Sequence, residues 1–122
     1  MGNETGGMGE DYAVRFLENK GYSIVFRNFH SRFGEIDIIA RKEQYIVFTE
    51  VKTRDESCLA GPLESVTKAK QARIVKTALF YLQSHPVKLQ PRFDVIGITT
   101  ADGGRTVCKA AHIENAFCGR EF

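Results

Sequence analysis

The sequence predicts an α/β fold in which a mixed sheet is flanked by helices, in the order αβββαββ. Two stretches show apolar residues at helical spacing, and five shorter stretches are rich in the β-branched and aromatic residues typical of strands. Turn-forming residues separate these stretches, and no internal repeat or long linker interrupts the 122 residues. We therefore expect residues 1–122 to form one domain.

The first half of the chain is predicted to contain one helix and three strands. Apolar residues Ala13, Val14 and Leu17 indicate a helix over residues 8–19, and Gly21 follows it in the position of a left-handed cap. The three strands are predicted over residues 22–29, 34–41 and 45–53. The last two form a hairpin that turns at Lys42-Glu43-Gln44.

The second half is predicted to contain a loop, a long helix and two strands. The loop covers residues 55–64 and the helix residues 65–84, with Ser65 or Thr67 as its N-cap. The apolar stripe of this helix consists of Val75, Ala78, Leu79 and Leu82. The final strands are predicted over residues 92–99 and 105–113, on either side of a turn at Asp102-Gly103-Gly104, and the segment from Glu114 has no clear pattern.

The composition is that of an ordinary globular protein, with 43% hydrophobic and 26% charged residues. The net charge of +2 is compatible with a nucleic-acid partner but does not require one. The polar N-terminus lacks a signal-peptide pattern, and no apolar run approaches the length of a membrane span. We therefore expect a cytoplasmic protein that has no contact with a membrane.

The three cysteines, Cys58, Cys108 and Cys118, are odd in number and have no C-x-x-C spacing. Neither a disulfide framework nor a zinc site is indicated. We expect reduced thiols with buried structural roles.

Charged residues interrupt two strands that are otherwise strongly apolar. Asp37 lies within the second predicted strand, and Glu50 and Lys52 lie within the third. Burying them is costly unless the charges are paired or bind a metal ion. Two interpretations of these charged residues follow: a catalytic metal site, or a structural network of buried ion pairs.

The spacing D-x12-E-x-K suits a metal-dependent phosphodiesterase. Mg²⁺ prefers oxygen ligands and retains several waters, so Asp37 and Glu50 could bind it, with the carbonyl of Val51 as a further ligand. Lys52 would then hold the attacking water or neutralise charge on phosphorus. A two-residue connection at Glu43-Gln44 places Asp37 opposite Glu50, on the same face; a slip of one residue would separate them.

Glu10 is an unusual acid on the inward stripe of the first helix. It could complete the metal site or orient Lys52. Alternatively, it is a first-turn glutamate that the helix dipole favours.

Basic residues of the second helix share one flank and could contact phosphates. The candidate nucleic-acid-binding residues are Arg54, Lys70, Gln71 and Arg73. A solvated helix face is the alternative interpretation. For Asp94 we expect a structural pair with Arg92 or Arg73.

Several motifs together resemble the bacterial YraN family, which is related to the PD-(D/E)xK nuclease superfamily. They include Gly9-Glu10-x-x-Ala13, Gly34-Glu35-Ile36-Asp37, Val47-Phe48-Thr49-Glu50-Val51-Lys52 and Arg92-Phe93-Asp94-Val95. The resemblance implies a restriction-endonuclease-like fold similar to that of Holliday-junction resolvases. It also implies that Asp37, Glu50 and Lys52 are the superfamily's two acids and lysine, that Glu10 is its first-helix glutamate, and that Lys70 and Gln71 support the site.

The resulting hypothesis is a Mg²⁺-dependent DNA endonuclease, for which Mn²⁺ could substitute, acting on branched DNA in repair or recombination. Glu10, Asp37, Glu50 and Lys52 are the candidate catalytic residues. The alternative is a non-catalytic nucleic-acid-binding protein with a nuclease-like fold. Either a monomer or a homodimer fits the sequence.

Overall fold

The computed structural model describes residues 4–58, 61 and 65–118. Within them the helices are α1 (Glu4–Asn19) and α2 (Lys68–Ser84). The strands are β1 (Ser23–Ser31), β2 (Gly34–Lys42), β3 (Tyr45–Asp55), β4 (Gln90–Ala101) and β5 (Thr106–Phe117). The predicted order αβββαββ is confirmed.

The five strands form one mixed sheet in the order β1-β2-β3-β4-β5. The pairs β1–β2, β2–β3 and β4–β5 are antiparallel, whereas β3 and β4 are parallel. A parallel neighbour requires a crossover connection, and α2 lies in it. The fold is therefore consistent with the α/β nuclease-like architecture that the sequence predicts.

The predicted β2–β3 connection is confirmed. Pairing runs from Lys42–Tyr45, next to the Glu43-Gln44 turn, to Ile38–Thr49. Glu43 adopts the left-handed backbone conformation that such short turns require (φ 54°). This register fixes where the charged residues of β2 and β3 meet.

The two helices cover opposite faces of the sheet. Ala13 and Leu17 of α1 pack into one core cluster, whereas Ile74 and Ala78 of α2 pack into another. Neighbouring residues of β3 alternate between the clusters; for example, Val47 packs on the α1 side. This alternation is what a strand buried on both faces shows.

Several predicted boundaries differ from the structure. The first helix begins at Glu4, before its predicted start at residue 8, and the last strand continues to Phe117. Thr67, one of the two predicted N-caps, is the observed cap and accepts a hydrogen bond from the amide of Lys70 at 3.2 Å. Part of the predicted loop, residues 59–60 and 62–64, lies outside the described residues.

The prediction that the cysteines are buried is wrong. Cys58, Cys108 and Cys118 are all exposed, with free thiols. Two of them lie outside regular structure, and Cys108 lies on β5 at the edge of the sheet. Neither helix in the described ranges is long and apolar enough to cross a membrane.

Gly9 allows α1 to approach β3 closely. A Cβ added at Gly9 would lie 2.3 Å from Thr53 Oγ1, well inside van der Waals contact. We therefore expect Gly9→Ala to lower the free energy of unfolding by about 1 kcal/mol, because overpacking outweighs the better helix propensity of alanine.

Removing the Thr53 hydroxyl should reverse this effect. The double variant Gly9→Ala/Thr53→Ala is expected to be more stable than Gly9→Ala, as measured by urea denaturation of the wild type, both single variants and the double. Additive free energies in that cycle would contradict the contact.

Candidate active site

Backbone pairing between β2 and β3 gives way to a side-chain contact at the candidate site. Beyond the Ile38–Thr49 pair, Asp37 Oδ2 accepts a hydrogen bond from the Val51 amide at 2.7 Å. The carboxylate thus bridges the two strands where they diverge. The Asp37 carboxylate takes the place of the backbone carbonyl that would accept this hydrogen bond in a regular antiparallel pair.

The regular alternation of β2 breaks at Asp37. Ile36 packs with the α2-side cluster and Ile38 with the α1-side cluster, although residues two apart on a regular strand share a face. The predicted register is therefore correct as far as Ile38. Asp37 nevertheless meets Glu50 at an opening between the strands, rather than as its regular cross-strand neighbour.

Asp37 and Glu50 line the same cavity, which has a volume of about 420 Å³. Its wall also includes Gly34, Glu35, Val51, Lys52, Lys70, Arg73 and Ile74. The two carboxylates therefore face a common space, although they are not a regular cross-strand pair. Val51 lines the cavity too, with its amide committed to Asp37.

Glu50 is buried and is neutralised by two lysines. It is 5% exposed, and its Oε2 lies 3.3 Å from Lys52 Nζ and 2.6 Å from Lys70 Nζ. Lys52 comes from the same strand, whereas Lys70 comes from the first turn of α2. A buried carboxylate with two ammonium partners is electrostatically compensated.

Asp37 is compensated less well than Glu50. No described residue forms an ion pair with it, although it is half-buried. Burial, together with the negative charge of Glu50, raises the pKa of Asp37 to about 7, and the Val51 hydrogen bond opposes the rise. Near neutral pH the cavity therefore holds one carboxylate that is paired with lysines and one, that of Asp37, whose pKa lies close to the pH.

The two lysines influence each other. Burial and the adjacent Lys70 lower the pKa of Lys52, while the charge of Glu50 opposes this effect. Burial is the largest single influence on Lys70 and would lower its pKa, but the contacts with Glu50 and Lys52 and the negative charges of Glu50 and Asp37 together outweigh burial, so that this pKa is raised. Lys70 is thus the firm counterion of Glu50, and Lys52 is the more easily deprotonated amine.

Glu10 lies in the wall of a second cavity, of about 470 Å³, together with Asp37 and Lys52. Its Oε1 accepts hydrogen bonds from Arg27 Nη2 at 2.8 Å and from Asn28 Nδ2 at 3.0 Å. Arg27 also pairs with Asp11 at 2.6 Å. Glu10 is therefore held beside the site by β1, and these contacts link it to β1 rather than to Lys52.

Arg27 and Asn28 are the partners of Glu10 that sequence reasoning did not identify. Asn28 has a left-handed backbone (φ 56°), which is unusual within a strand. The sequence contains one indication of this conformation, because asparagine tolerates a left-handed backbone better than most residues.

The candidate nucleic-acid-binding residues lie around the two cavities in different ways. Arg73 lines the first and Arg54 the second, where Arg54 Nη2 donates to Ser65 Oγ. Lys70 contacts Glu50 inside the first cavity. Gln71 donates from its side chain to the carbonyl of Val66 at 3.1 Å, so it stabilises the start of α2.

The donor set fits a hard divalent cation better than a transition metal. The described residues contain no group of three or more His, Cys, Asp or Glu side chains arranged to hold a metal ion. Two carboxylates with room for water are sufficient for Mg²⁺, which binds few protein ligands. A bound cation would also stabilise the ionised form of Asp37, which burial and the nearby charge of Glu50 disfavour.

A second buried network surrounds Asp94, which is 0% exposed. It accepts from Arg92 Nε at 3.0 Å and Nη2 at 2.8 Å, from His112 Nε2 at 2.7 Å and from the Asn115 amide at 2.9 Å. Lys20 Nζ lies 2.7 Å from His112 Nδ1. An ammonium group only donates, so Nδ1 accepts and Nε2 carries the proton. The predicted Asp94–Arg92 pair is confirmed.

Asp94→Asn should destabilise the fold by about 3 kcal/mol, because an amide cannot accept from all of these donors and leaves buried charge unpaired. Burial opposes ionisation, yet the hydrogen bonds from His112, Arg92 and Asn115 hold the pKa of Asp94 below its usual range. Urea denaturation at pH 7 measures the loss. Asp102→Asn, in an exposed turn, is the matched control, and equal stability of the two variants would contradict a structural network.

The fold and site define an α/β protein with two acids and a lysine at an opening between two antiparallel strands of a mixed sheet. The model of "Uncharacterised protein family UPF0102" matches residues 9–98, a range that includes all four candidate catalytic residues. The chain belongs to this family, and the resemblance to the YraN family is thereby confirmed.

Relatives from several bacteria match most of the chain. A UPF0102 protein of Syntrophomonas wolfei is 44% identical over 119 residues, covering 96% of this chain and all of the relative. The UPF0102 protein of Persephonella marina is 46% identical over 110 residues, which cover 89% of this chain and 89% of the relative. That of Pelobacter propionicus is 47% identical over 116 residues, which cover 93% of this chain and 81% of the relative.

Proposed function

We propose that this protein is a divalent-metal-dependent DNA endonuclease that hydrolyses phosphodiester bonds in the cytoplasm. The observation that carries the proposal is the unequal pair of carboxylates in one cavity. Glu50 is neutralised by two lysines, whereas among the described residues a backbone amide is the one hydrogen-bond partner of Asp37. This arrangement leaves Asp37 available to bind a cation.

Asp37 and Glu50, with the carbonyl of Val51, would hold Mg²⁺ or Mn²⁺. The bound ion supplies Lewis-acid polarisation of the scissile phosphate and a more acidic water. The cavity of about 420 Å³ offers room for a phosphate group beside these residues.

Side chains of the protein would orient the attacking water, neutralise charge and contact the DNA phosphates. The ammonium of Lys52 lies in the same wall, where it can orient the attacking water and neutralise charge that develops on phosphorus. Glu50 fixes Lys52 in place through their 3.3 Å contact. Glu10, held by Arg27 and Asn28, shapes the second cavity next to Lys52, and Arg54 and Arg73 can contact backbone phosphates at either side.

A cleavage panel tests the proposal. Linear, nicked, flapped and four-way DNA are incubated with the purified protein and Mg²⁺ or Mn²⁺, and Asp37→Ala protein prepared identically reveals contaminating nuclease. We expect metal-dependent cleavage of at least one branched substrate by the wild type alone. Equal cutting by both proteins would refute the site.

Calorimetric titration with Mg²⁺ addresses the metal directly. The wild type should bind at millimolar concentrations and Asp37→Ala should not. No heat from either protein, together with DNA binding but no cleavage, would instead support a non-catalytic nucleic-acid-binding protein.

A further inference from the structure

An exposed aromatic surface lies next to the candidate active site, between the β1–β2 turn and α2. It consists of Phe26, Phe33 and Phe80, and Phe29 lies beneath it. Phe80 is 39% and Phe26 43% exposed. The ring of Phe80 lies 6.1 Å from that of Phe33 and 6.3 Å from that of Phe29. Large exposed aromatic rings grouped in this way often mark a binding surface.

The aromatic surface is next to the cavity both along the chain and along α2. Gly34, which lines the cavity, rests directly on α2, since a Cβ built there would lie 3.5 Å from Arg73 Cβ and 3.4 Å from Thr77 Oγ1. Phe33 precedes Gly34, and Phe80 lies two turns along α2 from Arg73. A strand leaving the cavity past Arg73 would therefore reach the aromatic rings next.

Positive charge accompanies the aromatic rings. The guanidinium of Arg32 lies 5.0 Å from the centre of the Phe33 ring, and the exposed side chains of Arg73 and Lys76 follow the same side of α2. Glu35 is the acid at the rim, with His30 Nδ1 4.0 Å from it. Aromatic rings beside cations are the surface on which unpaired bases stack while their phosphates are neutralised.

We propose that this aromatic surface binds unpaired nucleotides of the DNA substrate, so that the enzyme acts next to a single-stranded segment such as a flap. The proposal rests on the proposed function for the choice of DNA. A second copy of this chain fits less well, because a symmetric contact centred on Phe80 would bring Arg32, Arg73 and Lys76 towards their own counterparts.

Binding without metal tests this proposal independently of cleavage. Fluorescence anisotropy in EDTA compares a labelled single strand, a blunt duplex, and a duplex with a single-stranded flap. Phe80→Leu keeps an apolar side chain but removes the aromatic ring. It should weaken binding of the single strand and the flap about 5- to 100-fold, as loss of one stacked base does, and change duplex binding less than twofold.

The controls separate stacking from charge and from folding. Val87→Ala removes another exposed apolar side chain, 40% exposed, and should leave all affinities unchanged. Arg32→Gln, which alters no core residue, should also weaken single-strand binding. A strand containing 2-aminopurine should lose fluorescence on binding to the wild type and lose less with Phe80→Leu.

Three results would overturn the proposal: equal weakening on duplex and single strand, no weakening at all, or a dimer in sedimentation that Phe80→Leu dissociates. If the wild type cuts DNA but Phe80→Leu binds normally, this inference alone fails. If single-strand binding depends on Phe80 but no DNA is cut, the proposed enzyme activity alone fails.

Discussion

Asp37→Asn is expected to lower the rate of DNA cleavage by about 1,000-fold or more, because a lost metal ligand removes several kcal/mol of transition-state stabilisation. The variant should nevertheless fold. Asparagine has the same shape, and its side-chain oxygen can still accept the hydrogen bond from the Val51 amide. Single-turnover cleavage of the best substrate measures the loss.

The same substitution should stabilise the protein at alkaline pH. Folding raises the pKa of Asp37 from 3.8 to about 7, so the folded state takes up a proton between these values. The contribution of Asp37 to the free energy of unfolding therefore falls as pH rises from about 4 to 7, by at most about 4 kcal/mol, and is lowest where Asp37 is ionised. Asparagine has no such dependence.

Thermal unfolding in EDTA at pH 5 and pH 8 distinguishes these expectations. The wild type should lose more stability across this range than Asp37→Asn, and Mg²⁺ at pH 8 should raise the melting temperature of the wild type only. Asp102→Asn, at an acid in an exposed turn outside the cavity wall, should behave like the wild type. Identical pH profiles for wild type and Asp37→Asn would contradict the raised pKa of Asp37.

Lys52→Met should reduce the cleavage rate by about 100- to 10,000-fold, the range found for groups that assist proton transfer or charge neutralisation. The fold should survive because Glu50 keeps its closer partner, Lys70, at 2.6 Å. The cleavage rate constant measured under saturating DNA and Mg²⁺ checks this. If Lys52→Met cleaved DNA at the wild-type rate, Lys52 would have no role in the reaction.

Lys70→Met is expected to act differently, by changing the pH profile. Burial and the positive charge of Lys70 both lower the pKa of Lys52, so removal of Lys70 should raise that pKa. If cleavage needs the ammonium form of Lys52, the alkaline limb of the rate profile moves to higher pH. Lys88→Met, at an exposed position after the same helix, is the control. An unchanged alkaline limb in Lys70→Met would contradict the coupling between the two lysines.

Local pattern was enough to predict the order of elements and the β2–β3 register. The two-residue connection at Glu43-Gln44 leaves one pairing, and that pairing brings Asp37 near Glu50. Element ends were less predictable. The first helix includes Gly7, although glycine is a poor helix former, and β5 continues beyond residue 113 because Phe117 pairs with Phe93 of β4.

The electrostatics of the site depended on tertiary contacts that spacing cannot reveal. The basic flank of the second helix suggested phosphate contacts for Lys70, but its place as counterion of Glu50 follows from how α2 packs against the sheet. Likewise, side chains stop alternating between the two faces of β2 from Ile36 to Ile38, and the side chain of Asp37 therefore faces the gap between β2 and β3. No periodic pattern encodes such a break.

The crossover between β3 and β4 has a consequence for the order of folding. The meander β1–β2–β3 contains only local pairings and can form early, and it already carries Asp37, Glu50 and Lys52. Lys70 arrives only when α2 docks on the sheet, which accompanies the long-range pairing of β3 with β4. We therefore expect the two acids and Lys52 to come together first, and Glu50 to gain its second counterion, Lys70, only once α2 has packed against the sheet.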